Sequence, residues 1–445
     1  MLEVLNALLW GPGTLTLILG TGAWLTLRTV GFPQRNLGRA LTLSLGREAR
    51  RKGRGGVSPF GSLMTALAST VGTGNIVGVA AALVSGGPGA LVWMELAAFL
   101  GLAAKFAECM LAVKYRHVRR DGTRWGGPMA VMEMRLGSAG AVLGRFYALF
   151  ALLMAFAMGA MAQSGALVDT FAAAFTLPRY KVGLVTAVLA LVILLGGVRR
   201  IADAATVLVP VMALLYIGGG LAVILGNLRR LPEAVTLMLR CAVAPEAALG
   251  GALGIVTRRE ALRWGVARSV FSNEAGLGSA AITAACADTE DPVKQGLISM
   301  TGVFFDTMVI CSVTGLAICC SGTLGAADGN GRPLTGAALT LRAFETVLGP
   351  LAPWLIGVAL GLFAFTSVLG CAVQAETTAS YLLGPEAVRP CRVLYGLAVF
   401  AGAVIPMATV LQLADLANAL MAFPNLVCLL LLSGEIAGEC GRKER

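Results

Sequence analysis

The sequence predicts an all-α polytopic membrane protein of about eleven transmembrane helices, one N-terminal helix followed by two inverted halves of five. Three observations predict it. Of 445 residues, 57% are apolar and only 13% charged, with a mean hydropathy of +0.80, whereas soluble domains carry about 25% charged residues. The apolar residues gather in runs of about 17–25, the length needed to cross roughly 30 Å of hydrocarbon. Two of those runs, at corresponding places in the two halves, are interrupted by glycine and polar residues.

The runs lie near 10–28, 58–84, 89–111, 145–169, 182–198, 205–226, 254–285, 297–320, 353–376, 393–406 and 409–432. The run at 393–406 is short, and those at 254–285 and 409–432 are interrupted. The opening "MLEVLNALLW" lacks the basic region of a signal peptide, so the first run reads as a retained helix. The expected organisation is an N-terminal helix with a basic loop over 1–54, halves over 55–228 and 229–434, and a tail over 435–445.

In a soluble chain the net charge of +11 would suggest nucleic acid as a partner, but here the basic residues cluster between apolar runs. Arg35, Arg39, Arg47, Arg50, Arg51, Lys52 and Arg54 follow the first run; Lys114, Arg116, Arg119 and Arg120 follow the third; Arg199 and Arg200 follow the fifth; the chain closes on "GRKER". Alternate spans put all of them on one side. The positive-inside rule makes that side the cytoplasm, with the N-terminus outside and the C-terminus inside the cytoplasmic membrane. Arg229, Arg230, Arg258, Arg259, Arg263 and Arg268 break the rule, and several of the last four are expected on a helix dipping towards the pore rather than in a plain loop. The ten cysteines, as in "AICCS" (317–321), read as small core residues. His117, the single histidine, falls in "KYRHVRR" and is expected to be solvated. No metal-ligand spacing and no nucleophile–base constellation stands out, so no enzyme and no cofactor is expected.

The interrupted runs hold the chemistry. Residues 69–78 read "STVGTGNIVG", within a stretch from Gly55 to Met94 that has no charged residue. Glycine inside a helix costs roughly 1 kcal/mol relative to alanine, so a mere anchor would avoid it. About 200 residues later comes "SVFSNEAGLGSAAI" (269–282), in the equivalent span of the other half and running the opposite way. Paired broken helices in inverted halves point to a secondary transporter with a midplane site. Unwound backbone leaves N–H and C=O groups that only protein or ligand can pair in a bilayer. Free N–H groups around Gly72, Thr73 and Gly74 suit a carboxylate; free carbonyls near Ala68 and Val71 suit a small hard cation; Thr70, Thr73 and Asn75 add oxygens. Against this stands a packing notch formed by Gly74 and Gly78, four residues apart. A nucleotide-binding loop lacks its strand–turn–helix context.

Asp306 is a lone carboxylate in an apolar run, where burying charge costs at least about 2.5 kcal/mol. It is expected to face a cation or a proton path, or else to pair with a basic residue such as Arg268. Glu376 and Asp415 pose the same question, with solvation expected for Glu376 near its span's cytoplasmic end. Lys105 and Glu108, three apart, read as a structural ion pair. Gln163 alone reads as interhelical glue.

At these residues the chain resembles a known family. The strings "ALASTVGTGNIVGVA" (66–80), "AAKFAECMLAVKYR" (103–116), "GGVRRIADAATVLVP" (196–210), "GVARSVFSNEAGLGSAAI" (265–282), "DPVKQGLISMTGVFFDT" (291–307) and "LADLANALMAFPNLVCLLLLSG" (413–434) are similar to the alanine or glycine:cation symporters. The resemblance implies a leucine-transporter-type fold with an extra N-terminal helix, and import of small neutral amino acids driven by sodium or sometimes protons. It implies a substrate site with Thr73 and Gly74 at the carboxylate, Gln163 as polar partner, and Phe271, Ser272, Asn273 and Gly276 facing them. One sodium would sit among the Ala68 and Val71 carbonyls, Thr366 and Ser367, and a second cation among Thr70, Asn75, Ser272 and Asp306. One departure stands out. Relatives carry an aromatic run resembling "GWYYYGE" where this chain has "GCAVQAE" (370–376), placing Cys371 where they have tryptophan. That implies a wider pocket for larger or more polar amino acids, unless Gln374 fills the space. The expectation is therefore sodium-coupled amino-acid symport, with proton coupling or exchange as the alternative. A channel, a sensor and an intramembrane enzyme are weaker rivals.

Overall fold

Helices make up nearly all of the described secondary structure, as burying backbone in hydrocarbon requires. The structure is a computed structural model and describes residues 6, 9–52, 57–118, 122–175, 178–243, 258–329, 331–405 and 407–444. Arg54, Arg119, Arg120 and the start of the run at 254–285 lie outside the described residues.

In chain order the helices are α1 (Pro12–Arg28), α2 (Phe32–Arg35), α3 (Leu37–Leu45), α4 (Pro59–Thr70), α5 (Val77–Gly86) and α6 (Gly89–Lys114). A two-residue hairpin, β1 (His117–Val118) with β2 (Arg124–Trp125), leads to α7 (Pro128–Met154) and α8 (Gln163–Phe175). Then follow α9 (Arg179–Leu194), α10 (Gly197–Gly226), α11 (Leu231–Val243), α12 (Arg258–Asn273), α13 (Ser279–Ala285) and α14 (Pro292–Val303). The chain closes with α15 (Ser312–Ser321), α16 (Gly336–Leu348), α17 (Ala352–Leu383), α18 (Val388–Gly402), α19 (Met407–Leu431) and α20 (Ser433–Glu444). Wider π-helical turns join α7 to α8 over Ala155–Ala162 and α14 to α15 over Phe304–Cys311.

Among the described residues six stretches are long and apolar enough to cross a membrane, and the bent pair α4 and α5 makes a seventh. The expected runs at 10–28, 182–198 and 393–406 are helical too, as α1, α9 and α18, with 17, 16 and 15 residues. One expectation is corrected: the run at 409–432 is a continuous helix that accommodates Pro424. The exposed face of α9 carries Leu184, Val185, Val188, Leu189 and Val192, an apolar exterior suited to lipid. All ten cysteines are unpaired and nine are buried, so they pack as small apolar groups.

Helix α6 is the hub that positions the site, because α12, α13 and α14 all pack along it while α12 also packs on α5. A second group, α7, α8, α9, α17 and α18, packs together with the π-turn at 155–162. The two groups meet where α4 crosses α17.

Candidate functional site

The first broken helix begins with a firm cap. Ser58 Oγ accepts the Gly61 N–H at 3.0 Å, and Pro59 supplies a preset φ at the first turn. Helix α4 stops because Val71 (φ −73°, ψ 90°) and Gly72 (φ −126°, ψ −161°) are extended. The chain resumes as a single turn over Thr73–Asn75, and α5 leaves bent by 64° from α4. The Gly72 N–H donates to Asn75 Oδ1 at 3.1 Å instead of closing a helical bond on the Ala68 carbonyl. Among the described residues, nothing accepts from the N–H groups of Thr73 and Gly74.

Side chains from two other elements, α8 and α17, converge on this break. Thr73 Oγ1 donates to Gln163 Oε1 at 3.4 Å, placing the first residue of α8 across from it. Ser367 of α17 donates to the Val71 carbonyl at 3.4 Å. A Cβ built on Gly72 would lie 2.9 Å from Ser367 Oγ and 3.2 Å from Gln163 Nε2, so glycine leaves these side chains of α17 and α8 room beside the break. Gly74 is different: a Cβ there would meet nothing within 4 Å, and one on Gly78 would meet only Arg268 at 3.7 Å. Neither glycine is a helix-packing notch.

Asn75 joins the first break to the second. Its Nδ2 donates to Asp306 Oδ1 at 2.9 Å and Ser272 Oγ at 3.0 Å. Ser272 donates to Asp306 Oδ2 at 2.5 Å, and Thr307 to the same oxygen at 3.1 Å. Asp306 is wholly buried and receives only neutral donors, so the Arg268 pair does not form. The π-turn over Phe304–Cys311 aims this carboxylate inward; such turns often sit at functional sites. Asn273, beside Ser272, donates to Thr307 Oγ1 at 3.0 Å and accepts the Ala275 N–H at 2.9 Å.

Other expected residues stand elsewhere. Thr366, next to Ser367, turns its hydroxyl to the Leu362 and Phe363 carbonyls and to Met212 Sδ, away from the break. Successive helical residues point about 100° apart, so one hydroxyl of the pair faces α4 and the other α10. Thr70 is half-buried and hydrogen-bonds with none of Asn75, Ser272 or Asp306. Phe271 stacks on Trp10 with centroids 4.6 Å apart. The Arg268 guanidinium lies 5.6 Å from the Phe271 ring and the same distance from Trp264. Gly276 has both backbone groups committed to Glu108 and Asn425. Cys371 is buried, 3.9 Å from the Ser69 carbonyl. A Cβ on Gly159 would come within 2.2 Å of the Cys371 Cβ.

Glu376 is a correction: it is 4% exposed rather than solvated, and two guanidinium nitrogens of Arg392, Nε and Nη2, hold it at 2.9 and 2.8 Å. His117 stacks on Trp125, and Arg258, Arg259, Arg263 and Arg268 all lie on α12, the helix that leads into the second break.

A family model described as the sodium:alanine symporter family matches residues 1–441. The chain is 41% identical over 442 residues to the sodium/alanine symporter AgcS of Methanococcus maripaludis, covering 99% of this chain and 96% of that protein. It is 44% identical over 433 residues to an uncharacterized transporter of Haemophilus influenzae, covering 97% and 92%. A crystal structure of MhsT in complex with L-phenylalanine superposes with a TM-score of 0.59 at 16% identity, over 85% of this chain and 90% of that one. At that identity the likeness speaks for the fold alone, and the fold is of the leucine-transporter type. With the family matched from residue 1 to 441 and a 41% identical relative along its whole length, the chain belongs to the sodium:alanine symporter family.

Proposed function

We propose that the protein imports a small neutral amino acid together with sodium by alternating access. The single observation that carries this reading is the break at Val71–Asn75. There the unaccepted N–H groups of Thr73 and Gly74 stand beside carbonyls released from helical bonding, in a position facing both Gln163 and Ser367. A zwitterion's carboxylate would take the two N–H groups, with Gln163, Ser272 and Asn273 nearby. Sodium would take the Ala68 and Val71 carbonyls with Ser367. A second cation would use Asp306, Asn75 and Ser272.

Cation and solute share one unwound segment, so sodium would order the break and raise substrate affinity. Reciprocity then requires substrate to tighten sodium equally. The wider layout belongs to the same proposal: about eleven spans, inverted halves over 55–228 and 229–434, a tail over 435–445, and a place in the cytoplasmic (inner) membrane with the N-terminus outside and the C-terminus in the cytoplasm. The group built on α6 would rock against the group built on α17. Cys371, one turn after Ser367, stands in place of a bulky aromatic side chain, and that substitution is the ground for a cargo range reaching beyond alanine.

Uptake of a panel of labelled amino acids into proteoliposomes, with sodium and proton gradients imposed separately, tests the reading. Accumulation driven by sodium alone is expected. Accumulation driven only by protons would transfer the coupling to Asp306, whose burial among neutral donors favours that second reading. Saturable accumulation under neither gradient would remove symport altogether.

A further inference from the structure

The second break is built unlike the first. Glu274 (φ 52°), Gly276 (φ 87°) and Gly278 (φ 81°) all take left-handed backbone conformations, which release several N–H and C=O groups from helical bonding. Side chains of α6 and α19 hold these groups. Glu108 Oε2 accepts the N–H groups of Gly276 and Gly278 at 3.1 Å each. Lys105 Nζ donates to the Glu274 carbonyl at 3.2 Å. Asn425 Nδ2 donates to the Gly276 carbonyl at 2.9 Å and to Glu108 Oε2 at 3.2 Å. Lys105 Nζ and Glu108 Oε1 are 3.4 Å apart, and both side chains are almost wholly buried.

We propose that Lys105 and Glu108 are positioning residues that serve the second break as a tethered zwitterion: an ammonium on the Glu274 carbonyl, which the Leu277 N–H also meets, and a carboxylate on the freed Gly276 and Gly278 amides. The argument rests on the reading of the first break as the place where a free amino acid supplies the same two charges. An i,i+3 ion pair on a helix surface would be worth only a few tenths of a kcal/mol. Burial changes its role, because a buried charge needs partners: Glu108 Oε2 finds them on the unwound backbone, while Oε1 has the Lys105 ammonium beside it. The pair fixes the second break without a solute, and it ties α12 and α13 to α6 as one body. Sodium and substrate then have only the first break left to order.

Chemical rescue tests this. Lys105→Ala is expected to lower sodium-driven uptake at least roughly tenfold, with methylammonium restoring several-fold and formate nothing. Glu108→Ala is expected to respond to formate and not to methylammonium, and wild type to neither. Thermal unfolding of the purified proteins, which needs no transport, should show the same selectivity, with methylammonium raising the Tm of Lys105→Ala only. If wild type shows no sodium-driven uptake, the transport reading fails while the unfolding arm still decides this proposal. Should the alanine variants not accumulate, the near-isosteric double variant Lys105→Met/Glu108→Gln replaces them. It is expected to stay impaired, since neither side chain supplies a charge to the backbone. Wild-type uptake and Tm in the double variant, or rescue without selectivity, would overturn the proposal.

Discussion

Two glycines in the first break, two residues apart, should fail in different ways. Gly72 has an ordinary extended conformation (φ −126°, ψ −161°), so alanine would meet no backbone strain there. Its Cβ, however, would lie 2.9 Å from Ser367 Oγ and 3.2 and 3.3 Å from the Gln163 amide. Overpacking of that kind costs about 1–3 kcal/mol, and it falls on the protein itself, so Gly72→Ala should lower the Tm of the substrate-free protein. At Gly74 the added methyl meets nothing within 4 Å, and the Tm should stay at its wild-type value. The methyl would instead stand in the space through which a carboxylate approaches the Thr73 and Gly74 N–H groups. One misplaced methyl in a fitted site is worth about 1–3 kcal/mol, roughly 10–200-fold in affinity. Thermal unfolding without substrate, paired with equilibrium binding of alanine at saturating sodium, separates the two effects. Wild-type affinity in Gly74→Ala would refute the placement of substrate at this break. A wild-type Tm in Gly72→Ala would show that Ser367 and Gln163 yield freely and do not define the wall.

Asp306→Asn replaces an acceptor that serves Asn75, Ser272 and Thr307. With hydrogen bonds to charged groups worth about 1.5–3 kcal/mol, half-maximal sodium should rise at least roughly tenfold, and an unchanged sodium curve would remove Asp306 from ion coupling. Cys371→Trp must push back the segment bearing Gly159; uptake should narrow towards glycine and alanine, and an unchanged range would refute a pocket widened at this position. Acid stability should follow Glu435 on α20, beyond the last span. Burial raises its pKa, but the Lys114 and Tyr115 hydrogen bonds and the Lys114 and Arg135 charges outweigh that and hold it below its ordinary value. A carboxyl depressed in the folded state contributes stability above its unfolded pKa of about 4.3 and loses it as pH falls through the folded value. The Tm of wild type should therefore fall through that acidic window more steeply than that of Glu435→Gln; parallel curves would refute the assignment.

What the sequence discloses about this site is what local physics controls. Glycines and hydroxyls inside an apolar run disclose the break at 71–75, since nothing else explains their cost in a membrane helix. A carboxylate alone in such a run discloses Asp306. Direction around a helix is less accessible. "FTS" offers Thr366 and Ser367 as equals, and only the packing of α17 between α4 and α10 decides that Ser367 meets Val71 while Thr366 meets Met212. The π-turns are likewise silent in composition, although one of them aims Asp306 inward. Glu376 misleads because its partner Arg392 lies on the next helix, α18, and proximity to a span's end does not reveal that the two will meet.

The ion pair on α6 shows where local reading stops. Spacing alone gives Lys105 and Glu108 as an i,i+3 couple, and the couple forms. Its significance comes from what both side chains touch 169 and 168 positions further along the chain. A carboxylate accepting two backbone amides and an ammonium on a backbone carbonyl leave no side-chain signature at the other end, because every residue has an N–H and a C=O to offer except proline, which lacks the N–H. The glycines of "SNEAGLG" say that backbone is freed there; they do not say to what it binds. The same glycine-rich signal thus marks two breaks with opposite needs. In one, the N–H groups of Thr73 and Gly74 have no acceptor among the described residues; in the other, Glu108 of α6 accepts the Gly276 N–H and Asn425 of α19 donates to the Gly276 carbonyl. On the mechanism proposed above, one break would sense cargo and the other would carry the motion, and the difference between them would lie in Glu108 and Lys105 rather than in the breaks' own residues.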